Sequence, residues 1–305
     1  MIKQFLTVLA FTFFFISCKK ENKNDNKKLN VVTTTSMITD LVKNIGGNLI
    51  EINGLMGSGI DPHLYKASEG DVSKLVNADV IFYNGLHLEG KLVEVFEKMG
   101  HQNIKTIAIG ESLEKNTLIG SDYFASNYDP HIWFSVENWK TITKFVIKKL
   151  IEVDPKNAKA FEANGKEYLA QLEALEAKLK NTIATLPKEK RILVTAHDAF
   201  SYFGKAYGFT VVGLQGLSTA TEAGVQDVQK LAKFIIEKEV KAIFVESSVP
   251  KRTIEALQAA VESKDHKVTI GGTLFSDALG NANTKEGTYI GMFEYNVNTI
   301  INALK

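Results

Sequence analysis

Two sets of four short apolar runs, separated by one long helical stripe, limit this chain to few architectures. The first set is NVVTTT at 30–35, LIEINGL at 49–55, ADVIFY at 78–83 and IKTIAI at 104–109. The second is RILVTA at 191–196, FTVVGL at 209–214, KAIFVE at 241–246 and KVTIG at 267–271. Each run is rich in Val and Ile and nearly continuous in apolar character. Strands buried on both faces of a parallel sheet read this way. Helical patterns lie between them at 36–46, 69–76, 89–99, 137–151, 225–238 and 250–263. The alternation predicts an α/β fold of two lobes, each with a four-stranded parallel sheet flanked by helices. The expected division is an N-terminal lobe over 30–154, a linking helix over 155–187 and a C-terminal lobe over 188–305.

The linking stripe is carried by Phe161, Tyr168, Leu172, Leu175, Leu179, Ile183 and Leu186. Steps of three, four and seven keep these residues on one helix face. Pro155 suits a first turn, Asp154 is a candidate cap, and Pro187 closes the segment. At 1.5 Å per residue the helix would run roughly 45–50 Å. Its place midway between matched halves predicts a strut between lobes. Gly165 interrupts it at a cost of about 1 kcal/mol against Ala, and nothing local explains it.

Lys plus Arg number 36 and Asp plus Glu 35, so the chain lacks the basic footprint of a nucleic-acid binder. Cys18 is the single cysteine, which excludes an internal disulfide framework and a thiolate zinc site. Residues 2–17, IKQFLTVLAFTFFFIS, join a Lys to an apolar stretch too short for the roughly 20 residues that cross a bilayer. Residues 1–17 therefore read as an export signal. Its end, Phe15-Ile16-Ser17-Cys18, resembles a bacterial lipobox, with Cys18 as the lipidated first mature residue. Residues 18–29, rich in Lys and Asn, read as a disordered tether holding the protein to a membrane by its N-terminal lipid.

The tripeptide Asp-Pro-His occurs twice, at 61–63 and 129–131. Proline stiffens each loop and fixes the angle at which His63 and His131 leave it. Asp61 and Asp129 could hydrogen-bond locally or orient the imidazoles. His197 ends a strand run, and Asp277 follows the last one. All four stand at the carboxyl ends of expected strands, two per lobe, where open α/β sheets bind ligands. Three neutral imidazoles and a carboxylate suit Zn2+ in a tetrahedron, and a bidentate Asp277 would suit Mn2+ or Fe2+. Four protein ligands leave no place for an activated water, which favours capture over catalysis. Glu246 ends a strand at the same edge, where it either hydrogen-bonds a ligand from behind or caps a turn. Asp277 has a plain reading as a helix N-cap, and Trp133 reads as packing. His87 reads as structural, and His101 and His266 as solvated.

The stretches GSGIDPHLYKASEGDVSKLVNADVIFYNGLHLEGK, DPHIWFS, TAHDAFSYFGKAYG, GLQGLSTATEAG, AIFVESSVP and GGTLFSDALG closely resemble the substrate-binding lipoproteins of zinc and manganese ABC importers, of the TroA type. The likeness runs over residues 30–305. It implies two α/β lobes joined by one rigid helix, with limited opening and closing. It implies metal ligands at His63, His131, His197 and Asp277, and a third ligand that varies between His and Glu in the family is His here. It further implies a monomer outside the cytoplasm that carries Zn2+ or Mn2+ to an ABC permease. Residues 111–128 contain no His, unlike the His-rich loop of some zinc importers, so the choice of metal stays open. Two other classes remain at this point: a secreted zinc-dependent hydrolase, and a surface adhesin with a structural metal.

Overall fold

The computed structural model describes residues 28–101 and 104–305. The export signal, Cys18 and the tether up to residue 27 lie outside them. Leu29, expected in the tether, is already the first residue of β1 (Leu29–Thr33). In the N-terminal lobe β1, β2 (Ile50–Gly54), β3 (Val80–Tyr83) and β4 (Lys105–Ala108) form one parallel sheet in the order β2-β1-β3-β4. Its helices are α1 (Ser36–Gly46), α2 (Glu69–Val76), α3 (Val93–His101) and α4 (Val136–Val153). α2 starts where it does because Ser68 and Asp71 form a reciprocal capping box. α3 starts four residues later than the pattern predicts. Residues 89–92 form a separate turn instead, closed by the Leu92 N–H on the Glu89 carbonyl.

The C-terminal lobe repeats this plan with β5 (Ile192–His197), β6 (Thr210–Gln215), β7 (Ala242–Glu246) and β8 (Thr269–Leu274). All pairings are parallel, but the strands form two hydrogen-bonded pairs, β5-β6 and β7-β8, rather than one four-stranded ladder. β5 and β7 lie side by side. At the end of that seam the His197 N–H goes to the Glu246 carboxylate instead of a backbone carbonyl. β8 also carries an extra residue where Ile243 pairs with Ile270 but Val245 pairs with Thr273. Gly272 absorbs the bulge at φ 144°, a conformation that favours glycine.

Two helices escape the sequence pattern, α6 (Ser201–Tyr207) and α9 (Tyr289–Leu304). α6 has only seven residues. α9 packs on α5 and β8 through one stripe, Tyr289, Met292, Phe293, Asn296, Val297, Ile300, Ile301 and Leu304, at steps of three and four. The remaining helices are α7 (Val225–Glu237) and α8 (Arg252–Glu262).

The linking helix, α5, spans Ala158–Ala184, 27 residues, after a short 3-10 turn at Pro155–Asn157. At 1.5 Å per residue it is about 40 Å long, slightly shorter than expected. Asp154 does not cap it: its carboxylate accepts from the Asn157 amide, and its N–H closes α4 on Leu150. The buried face is Phe161, Gly165, Tyr168, Leu172, Leu175, Leu179 and Ile183, so Gly165 fills the gap in the apolar stripe. α4 crosses α5 there, and a methyl at Gly165 would overlap Ile147 Cδ1. We expect Gly165→Ala to lower stability by about 1 kcal/mol in urea denaturation, since overpacking of ~1–3 kcal/mol outweighs the ~1 kcal/mol gain in helix propensity. A more stable variant would disprove the tight crossing.

One core runs through both lobes, with α1, α4, α5 and α9 between the sheets and the aromatic side chains Trp133, Phe134, Trp139, Phe200, Phe203, Tyr289 and Phe293 buried in it. Trp139 stacks on Tyr289 at 4.9 Å, and Tyr289 donates to the Trp133 carbonyl. Smaller apolar clusters under α2 and α3, and under α7 and α8, seal the outer faces. This shared core holds the two sets of strand ends against each other. Among the described residues, no helix is long and apolar enough to cross a membrane.

Candidate metal centre

Each of the four candidate ligands stands on a short segment just past a strand. His63 lies in the loop after β2, and His131 in the loop between β4 and α4. His197 is the last residue of β5, and Asp277 follows β8. Their ligand atoms converge within 4.8 Å of one another. His131 and His197 are fully buried, Asp277 is 1% exposed and His63 5%. His87, His101 and His266 are not part of the group.

The two Asp-Pro-His loops are built alike. Asp61 Oδ1 accepts the His63 N–H at 2.8 Å, and Asp129 Oδ1 accepts the His131 N–H at 2.9 Å. Asp129 Oδ1 also lies 2.7 Å from His131 Nδ1, which holds that nitrogen protonated and turns Nε2 inward. Glu246 stands behind His197 in the same place, with Oε1 accepting the His197 N–H at 2.8 Å and Oε2 2.6 Å from Nδ1 as a close ion-pair contact. Of the two readings of Glu246, the geometry supports support of the ligand from behind. Trp133 packs its ring edge against His131 at 5.3 Å and donates Nε1–H to the Ser276 carbonyl, beside Asp277.

Several residues at the centre carried no clear sequence signal. Ser248 donates to Asp277 Oδ2 at 3.2 Å. Buried Glu89 accepts from Thr34 Oγ1 and from the Asn84 and Gly85 N–H groups, and the Asn84 amide then holds the Pro130 carbonyl. A backbone brace of that kind explains a carboxylate buried without a cation beside it. Thr219 donates to Asp61 Oδ2 from the opposite lobe. The stretches NGLHLEGK, ESSVP and GLSTATEAG carry these residues, but only the folded chain gives them roles.

The converging atoms suit a cation. His63 Nε2 and His197 Nε2 lie 3.4 and 3.3 Å from His131 Nε2. Asp277 Oδ2 is 3.3 Å from His197 Nε2, and Oδ1 is 3.6 Å from His131 Nε2. A tetrahedron around Zn2+, with bonds of ~2.0–2.1 Å, has edges of about 3.3–3.4 Å. Asp277 Oδ1 is buried and makes no hydrogen bond, an acceptor that a cation would satisfy. Because both Asp277 oxygens face imidazoles, a larger ion could take the carboxylate through both.

The electrostatics match. Burial lowers His63 to about 3 despite nearby Asp277, so this imidazole stays neutral. Burial also opposes charge on His197, but Glu246 and Asp277 outweigh it and raise that group well above the ordinary histidine range. Asp277 is held ionised against its burial by the surrounding imidazoles, chiefly His197. Burial and the Asp277 charge push Asp61 upward. A proton on His197 Nε2, shared with Asp277, can hold the metal-free cluster together. A divalent ion at the same place would take over that role, with one acceptor atom available from each of the four side chains.

Comparison with known proteins agrees with this geometry. A family model described as "Zinc-uptake complex component A periplasmic" matches residues 31–303. The chain is 47% identical over 300 residues to the manganese-binding lipoprotein MntA of Bacillus subtilis, covering 98% of this chain and 97% of that one. It is 47% identical over 295 residues to the zinc-binding protein TroA of Treponema pallidum, covering 97% and 94% of the two chains. The solved structure of periplasmic zinc-binding TroA from T. pallidum superposes with a TM-score of 0.89 over 91% of this chain and 99% of its own. With sequence, fold and strand-end site all in agreement, the chain belongs to the family of the periplasmic zinc-uptake component A.

Proposed function

We propose that this protein captures a divalent transition-metal ion, Zn2+ or Mn2+, outside the cytoplasm and delivers it to an ABC import permease. His63, His131, His197 and Asp277 are the ligands. The observation that carries the reading is the convergence of four buried ligand atoms, two from each lobe, within 4.8 Å of one another. The relatives named manganese-binding lipoprotein and zinc-binding protein support it, as does the name of PsaA from Streptococcus pneumoniae, a manganese ABC transporter substrate-binding lipoprotein 33% identical over 305 residues. Ligands from both lobes couple binding to closure, and the permease can tell loaded from empty protein by lobe position. Cys18 carries the lipid that tethers a monomer to the membrane.

A hydrolase is the poorer fit, because four side chains fill the tetrahedron that a catalytic zinc leaves open for water. An adhesin with a structural metal is also the poorer fit. The core joining the lobes rests largely on α1, α4, α5 and α9, none of which carries a ligand, so metal removal by a chelator is expected to leave the fold intact.

Loading is expected to release about one proton per ion, since His197 must give up its Nε2 proton to ligate. Against its burial, the Glu246 and Asp277 carboxylates raise this group well above the ordinary histidine range, and it is protonated below that raised value. Acidification therefore strengthens the competing proton, and affinity should fall as the pH is lowered. Isothermal titration with Zn2+ in buffers of different ionisation enthalpy measures the release directly. A titration with no proton release would contradict the ligand assignment of His197.

A further inference from the structure

The stretch GLQGLSTATEAG, residues 213–224, supplies no ligand, yet it leaves β6 and reaches the opposite lobe. Thr219 Oγ1 donates to Asp61 Oδ2 at 2.5 Å, while Asp61 Oδ1 accepts the His63 N–H at 2.8 Å. One carboxylate thus takes a hydrogen bond from each lobe, and the second comes from the backbone of a ligand. The loop bearing Thr219 is itself tied to the C-terminal lobe: the Gln215 amide donates to the Thr221 carbonyl, and Glu222 pairs with Arg252 of α8.

His63 differs from the other two histidines. His131 and His197 each have Nδ1 beside a carboxylate of their own lobe, Asp129 and Glu246. His63 instead depends on its backbone, held by Asp61, and it is the most exposed of the four ligands. We propose that Thr219 is a positioning residue that latches the His63 loop to the C-terminal lobe and so sets the rate at which bound metal leaves. This rests on the reading of His63 as a ligand. The latch joins the lobes, so it must break before they can part and release the ion. It therefore opposes departure more than it assists entry. A short hydrogen bond to an ionised acceptor is about twice as strong as a neutral one.

The test is a chelator chase of Zn2+-loaded full-length protein, followed by stopped flow. Thr219→Val keeps the shape and removes the hydroxyl. It should release Zn2+ about tenfold faster, equivalent to ~1.4 kcal/mol, with the association rate and the metal-free melting temperature unchanged. Thr219→Ser should restore slow release. An off-rate for Thr219→Val within about twofold of wild type overturns the latch, and so does a melting loss in the metal-free protein without faster release. His63→Ala, run in parallel, separates the two readings. Wild-type retention in His63→Ala refutes the ligand, whereas loss there with wild-type release in Thr219→Val refutes the latch alone.

Discussion

Asp277→Asn is expected to lower Zn2+ affinity by more than about a hundredfold, beyond the ~10- to 100-fold typical of residues that merely support a ligand. The substitution keeps size and shape, so the effect comes from charge and donor strength. With Asp277, three neutral imidazoles and a carboxylate leave the loaded centre one positive charge. Without it, two positive charges sit where all four side chains are at most 5% exposed. The nearest remaining carboxylates, Asp129 and Glu246, stand behind the His131 and His197 rings, and a buried charge without a carboxylate in direct contact is disfavoured. The amide also loses an oxygen, so binding through both Asp277 oxygens is no longer available and Mn2+ should suffer at least as much as Zn2+. Competition against a chromophoric chelator measures both ions. Retention of wild-type affinity for either would remove Asp277 from the ligand set.

Trp133→Ala should cost ~3–5 kcal/mol of stability, as truncation of a buried aromatic does, and lower the melting temperature by roughly 10 °C. Trp133 is 1% exposed, packs on the His131 ring and donates to the Ser276 carbonyl of the other lobe. Its removal leaves a cavity behind one ligand and frees the carbonyl next to another. The metal-bound form should therefore lose more stability than the metal-free form, by the amount that affinity declines. Thermal melts with and without Zn2+ test this. Equal losses in the two forms would make Trp133 a packing residue only.

Much of the fold is legible because its signals are local. The strand runs are recovered within three residues at either end, and the stripe on α5 announces a buried face whatever it packs against. The ligand types are legible for the same reason: two Asp-Pro-His loops and a strand-end His are read from adjacent residues. α9 was missed because polar Asn296 stands in its buried stripe while Ile290 and Tyr295 stand outside it, which lowers the contrast between its faces. The late start of α3 was missed because residues 89–92 close a tight turn, Leu92 N–H to the Glu89 carbonyl, that helical periodicity does not distinguish from a first helical turn. The split of the second sheet was missed because ladder continuity depends on how neighbouring strands approach.

The sequence by itself determined the elements and the chemical character of the site, since residue type and spacing act over one or two turns. Tertiary structure alone decided what serves those ligands. Glu246 meets His197 from 49 residues away, and Thr219 meets Asp61 from 158 residues away. Gly165 gains its meaning only where α4 crosses α5 at Ile147. Such contacts depend on how strands and helices are placed by a core shared between the lobes, and no local period encodes that placement.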